Sequence, residues 1–152
     1  MTRTIAVIPA GGAGTRLWPR SRRSTPKHTL TLGGHGRPLL RDTYERLRPL
    51  ADEIYVVTEA RQGQIIESVL PELDRDHMII EPVARGTTNA YGLAALTIAE
   101  RHPDAVIVAM ASDHVVRENG ACTLRIARRA APGASNPGGP DLDPPTSLED
   151  FR

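Results

Sequence analysis

Four short runs of β-branched and aliphatic residues punctuate the chain, and each predicts a strand: "TIAVIPA" (Thr4 to Ala10), "EIYVVTE" (Glu53 to Glu59), "HMIIEP" (His77 to Pro82) and "DAVIVAMAS" (Asp104 to Ser112). Between them the apolar positions recur at helical spacing. "PLLRDTYERLRPL" places Leu39, Leu40, Thr43, Tyr44 and Leu47 on one face, with Pro38 suited to the first turn. "ARQGQIIESVLPEL" predicts a second helix, and "TTNAYGLAALTIAERH" a third, with Leu93, Leu96, Ile98 and Ala99 on its apolar face and Thr87 or Thr88 available as N-cap. The order is β-α-β-α-β-α-β. Near-continuous apolar strands such as "AVIVAM" imply burial on both faces, so the pattern predicts an α/β fold, a Rossmann-like three-layer sandwich with a mostly parallel sheet and right-handed crossovers. Ligands of such sheets bind beyond the carboxyl ends of the strands. The unusual residues of this chain fall there: a glycine loop after the first strand, Glu81-Pro82 after the third, Ser112-Asp113-His114 after the fourth.

After Glu118 the pattern dissolves. "ACTLRIARRAA" could form a short basic helix, but residues 131–147 carry five prolines and three glycines with Leu142 as the single large aliphatic, so no packed element is expected there. Residues 1–118 therefore read as the folded part and residues 119–152 as a disordered tail. No apolar run approaches a membrane span, and "IAVI" is too short for a signal-peptide core, so no membrane partner is expected and the reading is cytoplasmic. Cys122 stands alone, which excludes an internal disulfide framework and a cysteine-rich zinc site. His28, His35, His77 and His102 show no metal-ligand spacing and read as surface or packing residues.

Charge sharpens the picture. Net charge is only +1, yet residues 1–50 hold ten Lys/Arg against two Asp/Glu, an imbalance that suits an anionic ligand. Aromatic residues make up 3% of the chain, too few for the stacking platforms of single-stranded nucleic acid, so small phosphates are favoured and no nucleic-acid partner is expected. Lys27 is the single lysine among eighteen arginines, and a compact ammonium meets one oxygen differently from a planar guanidinium.

Three phosphate loops compete for "GGAGTRLWPRSRRSTPK". A Walker A loop fails, because no Gly-Lys-Ser/Thr run follows at the required spacing. A dinucleotide fingerprint places Leu17 where its last glycine belongs, and Pro19 and Pro26 break the helix it needs. The third is a loop in which Gly11, Gly12 and Gly14 let main-chain N–H groups approach phosphate oxygens while Arg16 and Lys27 supply charge. The alternative to all three is a tight glycine turn with surface arginines.

"AGGAGTRLWPRSRRSTPK" resembles the signature of the sugar-phosphate nucleotidyltransferases, and its Leu17-Trp18-Pro19 form with Ser21-Arg22 is most similar to the mannose-1-phosphate guanylyltransferase branch. "EPVARGTTNAYGLAAL" is similar to that family's Glu-Pro-x-x-Arg-Asn-Thr segment, and "MASDHVV" to its Ser-Asp-His strand end; the likeness runs from about Thr4 to Glu118. The resemblance implies an enzyme in which a sugar 1-phosphate oxygen attacks the α-phosphorus of a nucleoside triphosphate and pyrophosphate leaves, here GTP plus mannose 1-phosphate giving GDP-mannose. It implies that Gly11, Gly12, Gly14 and Thr15 bind the triphosphate, that Arg16 and Lys27 are catalytic, and that Glu81, Arg85, Gly86 and Thr87 form the nucleobase turn. Asp113 would be the ligand of Mg²⁺, whose preference for hard oxygens and retained waters lets one carboxylate suffice. Taken alone, Ser112-Asp113-His114 would more often be a helix N-cap than a metal site.

The chain departs from the family pattern at His28, where glutamine is usual, and at Arg85-Gly86-Thr87-Thr88-Asn89, where Arg-Asn-Thr-Ala-Pro is usual. The family's later segments, including a sugar-binding wall and a second metal-binding aspartate, have no counterpart after Glu118. The sequence is therefore expected to be a truncated nucleotidyltransferase fold, frameshifted in its tail, with impaired activity and a sheet edge left bare. A noncatalytic nucleotide-binding remnant and a related sugar-phosphate nucleotidyltransferase using another nucleoside triphosphate are the alternatives.

Overall fold

A computed structural model describes residues 3–12, 14, 18–22, 25–32, 36–83 and 86–113. The basic helix expected near Cys122, the tail, His35 and His114 lie outside the described residues. Four strands, β1 (Thr4–Pro9), β2 (Glu53–Glu59), β3 (Met78–Glu81) and β4 (Val106–Ala109), form one parallel sheet in the order β3-β2-β1-β4. Three helices connect them: α1 (Leu39–Leu47), α2 (Gly63–Val69) and α3 (Thr87–Arg101).

Alternation along the strands sorts the core into two layers. Ala6, Ile8, Ile54 and Val56 face Leu40 and Leu47 of α1 and Ile66 of α2; Ile5, Val7, Tyr55 and Val57 face Ala90, Ala94 and Ile98 of α3. The three-layer α/β sandwich expected from the sequence is thus what forms. The chain steps outward from β1 to β3 with helices on one face, then returns past β1 to β4 with α3 on the other. Reversing both direction and face keeps one hand of crossover throughout.

Local chemistry sets the ends of the elements. Pro9 closes β1 where the ladder to β4 stops: Met110 N still donates to Val7 O at 3.0 Å, and proline has no N–H for a further rung. This shortens β4 relative to the run Asp104 to Ser112. The second helix is also shorter than its apolar pattern, a 3₁₀ turn at Ala60–Gln62 followed by α2, because Leu70 precedes Pro71 and leaves the helical region with φ −128° and ψ 70°.

Two expectations about α3 are corrected. Neither Thr87 nor Thr88 caps the helix; Gly86 occupies the cap with φ 95° and no side-chain hydrogen bond, and both threonines are exposed in the first turn. Of the face expected, Ile98 is buried and Leu93 packs half-buried against the core, but Leu96 is only half-buried and Ala99 is exposed; the other buried positions are Ala90, Gly92 and Ala94, small residues that let the helix axis approach the sheet. Burial of β4 on both faces is corrected as well. α3 packs over β1, β2 and β3, and Ile107 at the sheet edge remains 37% exposed. Among the described residues no helix is long and apolar enough to cross a membrane.

Candidate functional site

The strand order reverses between β1 and β4, the place where sheets of this kind form a crevice beyond the carboxyl ends of their strands. The turn after β1 enters it with Gly12 at φ 105° and Gly14 at φ 60°, backbone conformations that L side chains rarely adopt. A Cβ on Gly14 would lie 2.8 Å from Lys27 Cβ and 3.3 Å from Ser21 Cβ, so this glycine is also the floor on which the lysine stem rests. Ser21, buried, donates its hydroxyl hydrogen to Gly14 O and ties the returning loop down.

Lys27 opens a 3₁₀ turn, Lys27–Thr29, braced by Thr29 Oγ1 donating to Pro26 O at 2.8 Å. From there Lys27 Nζ reaches across the crevice to Asp113 Oδ2 at 2.7 Å, joining residues 86 positions apart. With side chains 27% and 31% exposed, such a pair is worth at most about 1 kcal/mol of stability. Its consequence is positional: an ammonium and a carboxylate are held together, partly buried, beside the glycine turn. Behind them His28 is fully buried, neither ring nitrogen has a partner among the described residues, and burial together with the Lys27 charge lowers its pKa from 6.5 to about 4. A neutral imidazole under Lys27 is the result. Tyr91 of α3 is held above the ordinary phenol range by burial and by the Asp113 charge.

A second group forms at the end of β3. Glu81 is buried, and a Cβ on Gly11 would lie 3.1 Å from its Oε2, so the missing side chain at Gly11 leaves room for this carboxylate. Burial raises the Glu81 pKa, and the Glu59 charge, opposite it in the β2–β3 register, raises it further. Gly86 and Thr87 follow at the start of α3, whose N-terminus lies at this same end of the sheet. The structure therefore brings Gly14, Lys27 and Asp113 together, and separately Gly11 and Glu81, with Gly12 on the turn between. Thr15, Arg16 and Arg85 lie outside the described residues.

The sequence pattern missed Thr58 and the hydrogen-bonding roles of Ser112 and Ser21 at the site. Thr58 Oγ1 donates to Ala10 O at 3.0 Å and Ser112 Oγ to Pro9 O at 2.8 Å, so each grips the end of β1; the third hydroxyl is that of Ser21. The available signal was a hydroxyl residue next to the strand-end carboxylates Glu59 and Asp113. Among the described residues no group of three or more His, Cys, Asp or Glu is placed to hold a metal ion. A cleft of about 330 Å³ lies at the opposite end of the sheet, but its acids are engaged elsewhere: Glu53 with Arg3, Asp52 with Thr4 N, Glu72 with Arg41.

A parallel sheet whose polar residues gather at its topological switch point defines a Rossmann-like α/β domain. The chain belongs to the nucleotidyl transferase family, whose sequence profile matches residues 5–137. It is 35% identical over 137 residues to the mannose-1-phosphate guanylyltransferase RfbM of Salmonella typhimurium, covering 87% of this chain and 28% of that protein. It is 36% identical over 115 residues to a mannose-1-phosphate guanylyltransferase of Escherichia coli, covering 74% of this chain and 24% of that protein. A crystal structure from Thermus thermophilus, described as a mannose-1-phosphate geranyltransferase, superposes with a TM-score of 0.69 at 31% identity over 84% of this chain and 37% of its own. The chain thus spans about a quarter of the length of these curated relatives. The family resemblance drawn from the motifs is borne out, and the profile match runs past Glu118, where the resemblance was expected to stop.

Proposed function

We propose that this chain carries the nucleotide half of a mannose-1-phosphate guanylyltransferase site, serving the reaction of GTP with mannose 1-phosphate to give GDP-mannose and pyrophosphate. The observation that carries the reading is the Lys27–Asp113 pair, 2.7 Å apart at the mouth of the crevice beside a glycine turn. A phosphoryl transfer of this kind needs little covalent help from the protein; it needs two polyanions held in line and their charge offset. A sugar-phosphate oxygen bonds to the α-phosphorus as the bond to the pyrophosphate oxygen breaks. Lys27 would offset the charge that builds on the α-phosphoryl group, joined by Arg16, while N–H groups of Gly11, Gly12 and Gly14 hold the phosphate chain. Asp113 would hold Mg²⁺, and a lone carboxylate suits an ion that keeps several waters and takes its remaining ligands from phosphates. The ion would screen the triphosphate charge.

Glu81 supports guanine in particular. An ionised carboxylate is an acceptor-only fork, and guanine alone among the common bases presents two adjacent donors, N1–H and N2–H, along its pairing edge, which would favour the ionised form against the burial and the Glu59 charge that raise the Glu81 pKa. Its place against Gly11 puts that fork beside the phosphate turn. Arg85, Gly86 and Thr87 complete the base turn in this reading.

Competition among Mg-GTP, ATP, CTP and dTTP, followed by calorimetry, tests it. GTP should bind at least about tenfold more tightly than the others, about 1.4 kcal/mol, with the margin lost in Glu81→Gln. Equal affinity for all four would overturn the guanylyl assignment. The alternative reading is nucleotide binding without turnover. Pyrophosphate release on adding mannose 1-phosphate to the GTP complex separates the two.

A further inference from the structure

The strand that opens the glycine turn ends in two carbonyls, each held by a hydroxyl from a neighbouring strand. Pro9 O accepts from Ser112 Oγ on the β4 side at 2.8 Å, and Ala10 O accepts from Thr58 Oγ1 on the β2 side at 3.0 Å. Ala10 N donates to Val57 O at 2.7 Å, so both polar groups of Ala10 are directed at β2. A trans peptide unit is planar, with its C=O and the following N–H pointing in opposite directions. Because Ala10 C=O is held toward β2, the N–H of Gly11 is directed away from β2. β1 lies between β2 and β4, so that direction is the crevice occupied by Lys27 and Asp113.

This orientation needs an external hold. Gly11 and Gly12 have the widest backbone freedom of any residue, so the peptide joining Ala10 to Gly11 can rotate at little steric cost once its carbonyl is released. Rotation would exchange an N–H donor for a carbonyl oxygen on the face that meets an anion. Thr58 is fully buried near the end of a strand whose preceding buried positions are Ile54, Tyr55, Val56 and Val57. Valine has nearly the same shape and would pack there without the hydroxyl, so packing does not account for threonine.

We propose that Thr58 is a positioning residue of the phosphate turn: by holding Ala10 O toward β2, its hydroxyl aims the Gly11 N–H at the phosphate chain. The inference rests on reading the crevice as a triphosphate site. Calorimetric titration of the full chain, in Mg²⁺, with inorganic tripolyphosphate, GTP and guanosine separately, tests it in wild type, Thr58→Val and Thr58→Ser. Thr58→Val should weaken tripolyphosphate and GTP by about tenfold or more, the scale of one lost charged hydrogen bond, and leave guanosine unchanged. Thr58→Ser, which keeps the hydroxyl, should restore both to within about threefold of wild type. A general packing defect would weaken guanosine alongside the phosphates.

If Thr58→Val binds tripolyphosphate like wild type, or Thr58→Ser is as impaired as Thr58→Val, the assignment is overturned. Should the valine variant not fold, the Gly11 amide resonance decides. It should move on saturation with tripolyphosphate in wild type and Thr58→Ser alike, and its immobility in wild type would overturn the assignment. Tripolyphosphate binding without preference for GTP would refute the guanylyl reading while leaving the role of Thr58 standing.

Discussion

Replacing Gly14 by alanine should damage fold and site together, and the structure separates the two costs. At φ +60° a side chain pays the left-handed backbone penalty, about 1–2 kcal/mol. The new Cβ would also lie 2.8 Å from Lys27 Cβ and 3.2 Å from its Cγ. These atoms are the root of the side chain rather than its free end, so relief requires moving Lys27 itself, an overpacking cost of about 1–3 kcal/mol. The sum is roughly 2–5 kcal/mol. Gly36 supplies the control: its φ is +68° and nothing lies within 4 Å of its virtual Cβ, so Gly36→Ala should pay the backbone penalty alone. With a urea slope of about 2 kcal/mol per molar, Gly14→Ala should lower the unfolding midpoint by roughly 1–2.5 M and Gly36→Ala by roughly 0.5–1 M. Tripolyphosphate affinity, measured well below either midpoint, should fall only for Gly14→Ala, because only there is Lys27 displaced. Equal midpoints for the two variants would refute the contact argument, and undiminished anion binding by Gly14→Ala would refute the link from Gly14 to Lys27.

Three further outcomes follow from the ionic groups. His28 takes up a proton near pH 4 when folded and near 6.5 when unfolded, so between those values the unfolded chain holds more protons and stability falls with falling pH. Relative to His28→Gln, wild type should lose roughly 3 kcal/mol from pH 7 down to pH 4, read from denaturant midpoints, and parallel curves would contradict the buried neutral imidazole. Asp113→Asn should change stability by no more than about 1 kcal/mol, given the exposure of its pair, yet abolish the Mg²⁺ dependence of GTP binding; a large stability loss would mean the pair is structural. At the opposite end of the sheet, Glu53 gathers Arg3 at 2.6 Å, His102 at 3.2 Å and His77 at 3.4 Å. Burial opposes its ionisation, but His102, the Tyr55 hydroxyl, His77 and Arg3 outweigh it and hold the carboxyl below its usual range, so its contribution is present above the ordinary glutamate pKa and lost as pH falls through the lowered one. Glu53→Gln should cost about 1–3 kcal/mol near pH 6 and leave nucleotide affinity unchanged, since a seven-residue strand of about 20 Å separates it from the crevice.

The strands were legible because each is a short aliphatic run bounded by turn residues, and β2 matches its pattern end to end. The face of α3 was read in part: Ile98 and Leu93 do pack on the sheet, but Ala90 and Ala94, which allow the close approach, were missed because alanine carries little hydrophobic signal. Lys27 and Asp113 could each be singled out, one as the chain's single lysine and the other as a strand-end carboxylate. Their pairing could not, since it depends on β4 returning to lie beside β1. Thr58 was invisible for a different reason: threonine is an ordinary strand residue, and only the direction of the Ala10 carbonyl distinguishes it.

Calorimetric titration of the folded chain with Mg-GTP, in wild type, Lys27→Ala and Asp113→Ala, tests the central claim most directly. The account expects one saturable site in wild type and its loss, or weakening by at least about tenfold, in both variants. Absence of saturable binding by folded wild type, or affinity unchanged when Lys27 is removed, would contradict a nucleotide site at the crevice between β1 and β4.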